Sequence, residues 1–595
     1  MKIKTIAMAM VPCILCTAVS MKVLATAELA PNGDADRTAE LLAAVRTKSS
    51  AGGGAVSLAK GIYHFRHTSA TPVEVYISNH DQPMPRLVQL PFEGITNVTV
   101  NGNGSLLLFH GETCGFLLRG CEGVTLRDFA IDWEDPCILE TTIVATPPGG
   151  TEVSVDRAKF PCRVEDGGVV LYGDGWRHPL FRESKMFDGV THEVVPLSGD
   201  VLDSGRAKEL PNGNLLLAVE YAKAGKGGKP GDRVCLRSRR ADKVGRPCPA
   251  VTVTRSKDTV MEDVAIHTAF GMGVICQLSE NFTWRGTKGA DAKTAGMFPR
   301  AGTGRYASGN ADASHFSNVK GTVREEGCWF EAMMDDAINV HSTCMAITNV
   351  LAPDRIVCRY MHMQAIGLDV FGAGDTLRLI RGSTLENGPE MKVVAAKGIG
   401  AMEMELTLAE PLPEGYGCGD AVENADYQPE VVFRGNVVAR NRARGTLFTT
   451  PKPVLVESNR FELVSGSAIL FAGDAHYWYE SGACRDVTVR GNVFSNCLTS
   501  ARSHGFCHGV ISFCPIVHEM ARQRRRYHGN ITIEDNVIHT FDAPLLYAYS
   551  TENLTWRRNR VTYNDYCPSW GKPPFVVEHC GEILVDGRRV PDAGR

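Results

Sequence analysis

Val487-Thr488-Val489-Arg490-Gly491-Asn492-Val493-Phe494 is the stretch that decides how the chain is read. A short β-branched strand runs into a Gly-Asn corner, and a second short strand leaves it. The phrase returns as Val432-Phe433-Arg434-Gly435-Asn436-Val437-Val438, Val456-Glu457-Ser458-Asn459-Arg460-Phe461, Ile531-Thr532-Ile533-Glu534-Asp535-Asn536-Val537-Ile538 and Leu554-Thr555-Trp556-Arg557-Arg558-Asn559-Arg560-Val561. The asparagines lie 23, 33, 44 and 23 residues apart, read as one coil, one coil with a longer loop, two coils and one coil. Repetition at a coil-sized period marks a solenoid. Short β-branched strands with asparagine at the corners predict an all-β chain built on a right-handed parallel β-helix. Asparagine tolerates the left-handed backbone of a tight corner, and its amide can satisfy the next one rung by rung. A β-sandwich has similar turns but does not hold this register.

Upstream, Asn97-Val98-Thr99-Val100-Asn101-Gly102-Asn103 and Val124-Thr125-Leu126-Arg127-Asp128-Phe129 carry the same unit. Two stretches lose it, about 140–250 and 345–430. They share an echo, Pro230-Gly231-Asp232-Arg233-Val234-Cys235-Leu236-Arg237 against Ala373-Gly374-Asp375-Thr376-Leu377-Arg378-Leu379-Ile380, and read as two related β-barrel-like insertions packed beside a cleft. Near the start, Asp34 or Asp36 caps a short helix whose apolar stripe is Leu41, Leu42 and Val45. Such a helix can cover the open end of a stack. The partition is a signal peptide at 1–27, N-terminal coils with their cap at 28–139, the first insertion at 140–250, coils at 251–344, the second insertion at 345–430 and C-terminal coils at 431–595.

With 595 residues and a formal charge of −4, the chain has no electrostatic reason to bind nucleic acid or an anionic membrane. The Arg522-Gln523-Arg524-Arg525-Arg526 cluster reads as a solvated loop. Lys2 and Lys4, the apolar run Ile6 to Val19 and Ala25-Thr26-Ala27 form a secretory signal, so export to the periplasm or the medium of a bacterium is expected. No run is long enough for a membrane span. The cysteines show no zinc spacing and read mostly as small buried hydrophobes. No cofactor is expected.

Asp312 stands in Ala311-Asp312-Ala313-Ser314-His315-Phe316, and 23 residues later comes Asp335-Asp336-Ala337-Ile338-Asn339-Val340-His341. Stacked coils bring these three carboxylates to one face, with Ile338 and Val340 inward and Asn339 and His341 outward. Three acids so close cannot all ionise cheaply, so one pKa rises and leaves a protonated acid near neutral pH. Facing carboxylates are the equipment for splitting a glycosidic bond: one protonates the leaving oxygen and another activates water across a gap of roughly 6.5–9.5 Å in the inverting arrangement.

A single Asp followed one coil later by Asp-Asp is similar to the inverting polygalacturonase-like hydrolases, although the Gly-His-Gly and Arg-Ile-Lys signatures of true polygalacturonases are missing. Over nearly the whole mature chain the sequence resembles more closely the bacterial α-1,3-galactosidases of glycoside hydrolase family 110. The segments carrying this are Ile77-Ser78-Asn79-His80-Asp81, Phe129-Ala130-Ile131-Asp132-Trp133-Glu134, Asp335-Asp336-Ala337-Ile338-Asn339-Val340-His341 and Gly473-Asp474-Ala475-His476-Tyr477-Trp478-Tyr479-Glu480-Ser481-Gly482. The resemblance implies a metal-free β-helix with barrel insertions that removes terminal α-1,3-linked galactose with inversion, from the blood-group-B trisaccharide, linear Galα1-3Gal, or both. It puts Asp312 on the general acid and Asp335 and Asp336 on the base positions. A galactose offers hydroxyls for carboxylates and amides and a C–H patch for an aromatic ring. Trp478 and Trp133 are the stacking candidates. Asp132, Glu134, Asn339, His341, Asp474 and Glu480 are the polar ones, with Asn79 and His80 beside them. His315 either touches sugar or tunes Asp312.

Two rivals stay open: a related hydrolase of another galactan or pectic glycan, and a glycan-binding solenoid without turnover. Acceptance of a fucosylated branch depends on loop shape. An exposed lateral face leaves room for a homodimer.

Overall fold

The computed structural model describes residues 29–198, 205–223, 227–500 and 507–593. The predicted signal at 1–27 lies outside them. From residue 54 onward the chain winds into coils of three short strands. One coil is Glu430–Arg434, Val437–Ala439 and Thr446–Phe448, and the next is Val454–Glu457, Arg460–Glu462 and Ile469–Phe471. Each strand pairs in parallel with its counterpart, as in Val431↔Val454, Val437↔Arg460 and Thr446↔Ile469. One set of strands forms a 13-stranded sheet and the others a 21-stranded one.

Alternation turns every second side chain into the stack, where like meets like from coil to coil. Phe461 lies on Phe494 at 5.0 Å and Phe471 on Phe513 at 4.4 Å between ring centroids. Burying each such ring is worth about 1.5–3 kcal/mol, and because it contacts only neighbouring coils, stability accrues rung by rung.

The corner asparagines form a buried ladder. Asn436 N–H donates to Asn459 Oδ1 (2.8 Å), Asn459 to Asn492 (2.9 Å), Asn492 to Asn536 (2.9 Å) and Asn536 to Asn559 (2.9 Å). Each Nδ2 also caps a strand carbonyl; that of Asn492 reaches Val456 O at 2.9 Å. Two expectations change here. The left-handed residue is the one before each asparagine: Gly435, Ser458, Gly491, Asp535 and Arg558 have φ of 54–64°. The amide is thereby freed to bond along the stack instead of holding its own corner. The 44-residue interval holds one coil, because Val487–Arg490 pairs directly with Ile531–Glu534; the coil keeps its third strand, Ile511–Phe513, and is lengthened in its connections.

The helix Thr38–Ser50 buries Thr38, Leu41, Leu42 and Val45 against the first coils, and Asp36 accepts the Thr38 N–H at 2.8 Å. Two excursions interrupt the stack. Ile138–Ala145 to Arg233–Ser238 make an eight-stranded antiparallel sheet, and Met345–Ala352 to Ala421–Asn424 close into a six-stranded barrel. The barrel has a core of its own around Ile356, Leu377, Leu406 and Val422. The parallel register then resumes across it, with Ile338 opposite Thr446.

Candidate active site

The coil Ser314–Ser317 pairs with Ile338–Thr343 so that His315 lies beside Asn339 and Ser317 beside His341, with Phe316 and Val340 turned inward. Just before these strands the backbone stacks as well, Ala313 N–H donating to Asp336 O at 2.9 Å. Asp312 therefore falls on the aspartate pair. One carboxylate oxygen from each of Asp312, Asp335 and Asp336 lies within 4.8 Å of the others.

The three are not equivalent. Asp312 and Asp335 line a cavity of about 160 Å³, together with Asn79, Arg246, His315, Asn339, Arg444, Asp474, Trp478 and Glu480. Asp336 is buried behind them and takes both the Arg444 backbone N–H (3.0 Å) and its guanidinium (2.8 Å). Arg246 binds Asp335 at 2.5 Å. Burial, joined by the Asp335 charge, pushes Asp312 up to about 7. Burial acts on Asp335 too, but Arg246, Arg444, Arg442 and Arg237 outweigh it and hold its carboxyl below the usual range. Burial, with Asp335 and Asp312, drives Asp336 upward against Arg444. The cavity thus presents one acid that keeps its proton near neutrality and one that does not.

Asn339 lines this cavity, and its buried Oδ1 has no hydrogen-bond partner, an acceptor suited to a hydroxyl. Trp478 also lines the cavity, its ring against His362 of the barrel with centroids 4.1 Å apart. Glu480 accepts from Asn79 Nδ2 at 2.9 Å and stands 3.5 Å from His341 Nε2. Burial raises its pKa less than His341, His315, Arg444 and the Asn79 bond lower it. Leu447, Leu470, Ala472 and Ile516 make the apolar floor. The volume is small beside the roughly 300–1,000 Å³ of a typical ligand pocket and suits one terminal sugar ring. Among the described residues, two side-chain groups have donors close enough to share a cation: the three aspartates, and His315 with His341 and Glu480.

Two family models match the chain, GLAA-B beta-barrel domain I over residues 139–232 and GLAA-B beta-barrel domain II over residues 355–422. An Alpha-1,3-galactosidase B of Akkermansia muciniphila is 42% identical over 562 residues, covering 94% of this chain and 68% of its own length. One of Parabacteroides distasonis is 34% identical, covering 88% and 85%. The chain belongs to the bacterial α-1,3-galactosidases of glycoside hydrolase family 110. Among solved structures, a double mutant of the tailspike protein of E. coli bacteriophage HK620, in complex with a pentasaccharide, matches with a TM-score of 0.38 and 10% identity over 94% of this chain; the chain spans 65% of the tailspike's length.

This α-1,3-galactosidase family member gathers Asn79, Asp312, His315, Asp335, Asn339, Asp474, Trp478 and Glu480 at the cavity and sets Asp336 and His341 directly behind it. Asp474 also organises its own loop: its carboxylate accepts the backbone N–H groups of His476, Tyr477, Trp478 and Tyr479 and so presents Trp478. His80 is fully buried outside the cavity. It bonds Ser78 O at 3.0 Å and receives the Met272 N–H at 3.3 Å, so it pins the loop that carries Asn79.

Three candidates lie elsewhere. Trp133 is inside the stack, 4.9 Å from Phe109 and edge-on to Phe270. Asp132 is buried under Arg300 (3.1 Å) and Arg305 (2.5 Å). Glu134 is exposed on the same strand end. All three sit on or beside Thr125–Trp133, which belongs to the 21-stranded sheet and not to the one carrying the aspartates. A larger cavity of about 500 Å³ lies near Arg300 and Arg305. Its cations pair with Asp132 or Glu331, and Glu331 is the one carboxylate among its described lining residues. The functional residues that sequence reasoning missed are Arg246 and Arg444. Arg444 sits one rung from Asp336, a neighbourhood hidden by the intervening barrel; Arg246 arrives from the tail of the first insertion, for which no periodic signal exists.

Proposed function

We propose that the chain is an exo-acting, metal-independent α-1,3-galactosidase that releases terminal galactose from blood-group-B or linear Galα1-3Gal glycans with inversion, on a right-handed parallel β-helix. The observation that carries this reading is the pair Asp312 and Asp335 sharing one sugar-sized cavity with opposite ionisation. Asp312 protonates the glycosidic oxygen as the bond to C1 breaks. Asp335, held as a carboxylate by Arg246, takes a proton from the water that attacks C1. Asp336 anchors Arg444 behind the pair. Asn339 and Glu480 accept sugar hydroxyls, and Trp478 covers the C–H patch. The right hand of the coils is supported by the strong preference of parallel crossovers for that sense.

Asp312→Asn should lower turnover of Galα1-3Gal by about 10²–10⁴-fold; unchanged turnover removes the acid assignment. One observation favours retention instead. The 4.8 Å bound on the carboxylate oxygens is nearer the roughly 5–5.5 Å of retaining enzymes than the 6.5–9.5 Å of inverting ones. The first anomer seen by proton NMR decides: β-galactose supports inversion, α-galactose retention. Export rests on the sequence of residues 1–27, and the N-terminus of the protein recovered from the periplasm tests it.

A further inference from the structure

Behind Asp312 a line of hydrogen bonds runs into the protein. His315 Nδ1 is 2.7 Å from Asp312 Oδ2, His315 Nε2 is 2.7 Å from His341 Nε2, and His341 Nδ1 is 3.0 Å from the Ser342 carbonyl. Both rings are buried, and His315 is part of the cavity lining. The last contact fixes the first. A carbonyl only accepts, so His341 Nδ1 carries hydrogen; in the neutral ring its Nε2, which also lies 3.5 Å from Glu480 Oε1, presents a lone pair to His315. His315 must then donate from Nε2. In a neutral ring that leaves Nδ1 as a lone pair, facing Asp312.

We infer that His341 locks His315 in its Nε2–H tautomer, and that His315 thereby keeps Asp312 in the protonated form. This rests on the reading of Asp312 as the acid. The two histidines are positioning residues: neither has to touch sugar. Hydrogen bonding to the neutral form of a carboxyl favours that form, and burial holds His315 well below its ordinary pKa, so the proton stays on the aspartate side. If His315 turned its N–H toward Asp312 it would stabilise the carboxylate and disarm the acid.

The other charged or titratable groups facing this line are Asp335, Asp336 and Glu480, the guanidiniums of Arg246 and Arg444, and the neighbouring His80. Asp335 and Glu480 push Asp312 the same way as the chain does, and the two arginines oppose it. A cation shared by His315, His341 and Glu480 is the competing explanation. Two imidazole nitrogens on one tetrahedral ion with bonds of about 2.0–2.1 Å would stand about 3.3 Å apart, and 2.7 Å is a hydrogen-bond separation.

His341→Phe removes the acceptor, and His341→Gln restores one at a similar reach. The expected result is that the alkaline limb of kcat/KM on Galα1-3Gal moves down by about one pH unit in His341→Phe and stays near the parent in His341→Gln. An equal loss at every pH overturns the proposal. The ¹⁵N spectrum of the histidine-labelled parent, assigned with His315→Gln, tests it without relying on either variant's fold. A protonated Nε2 and an unprotonated Nδ1 on His315 are expected; the opposite tautomer overturns it. Loss of activity in EDTA with recovery on adding Zn²⁺ also overturns it, in favour of an ion. The tautomer is read whether or not Asp312 is the acid, so a fully active Asp312→Asn enzyme would sink the functional reading on separate grounds.

Discussion

At the scale of single residues, the site works by giving chemically identical groups different surroundings. Asp312 has burial and a neighbouring carboxylate, while Asp335 has guanidiniums. In the proposed roles the acid must hold its proton and the base must lack one, so kcat/KM should fall as pH rises through about 7 and, on the other side, only below the usual carboxylate range. A pH–rate profile measures both limbs. Asn339→Ala should raise KM for Galα1-3Gal by about 10-fold, as loss of one hydrogen bond of about 1.4 kcal/mol implies, with the alkaline limb in place. The aspartates were legible because their spacing equals a coil. Trp133 was misread because its stacking potential outweighed its parity: Phe129, Ile131 and Trp133 alternate to the same side, and that side is the interior. Arg246 and Arg444 were illegible for the opposite reason, since nothing local to either announces what it faces.

At the scale of elements, the asparagine ladder and the inward column carry the most testable consequences. Asn492→Ala leaves the Asn459 N–H and the Val456 carbonyl without their partners, in a place water does not reach. It should cost about 1–3 kcal/mol, read by chemical denaturation. Glu325 occupies an inward position between Trp284 and Phe433, and burial lifts its carboxyl to about 8 against the pull of the Ser314 hydroxyl. Its folded pKa is above the unfolded one, so the folded state binds the extra proton and stability is lost as pH climbs from about 4.5 to about 8. Glu325→Gln should match the parent at pH 4 and exceed it by about 1–3 kcal/mol above pH 8; thermal melts at both pH values check this. The ladder was readable from recurring Asn at a corner. The residue that bends the chain there was not, because Gly, Ser, Asp and Arg all serve.

At the scale of the whole molecule, the stack supplies a rigid line of rungs, and the excursions supply what a strand cannot. The barrel contributes His362 behind Trp478 and Gln364, whose carbonyl accepts the Asn79 N–H at 2.8 Å. It has its own core, and its end strands Met345–Ala352 and Ala421–Asn424 are paired. Replacing residues 345–424 with a short turn should therefore leave a cooperatively melting stack while turnover falls about 100-fold, the scale of an ångström-sized misplacement. Circular dichroism and Galα1-3Gal assays separate the two effects. The insertions were legible as breaks in register, and their shapes were not, because antiparallel strands of this length fit several closures. The barrel also separates Asp336 from Arg444 by more than a hundred residues of chain that must be threaded between two touching rungs. During synthesis the lower rung emerges only after the whole excursion has left the ribosome. The upstream coils wait meanwhile with an open edge, and this seam is where premature pairing with another chain would begin.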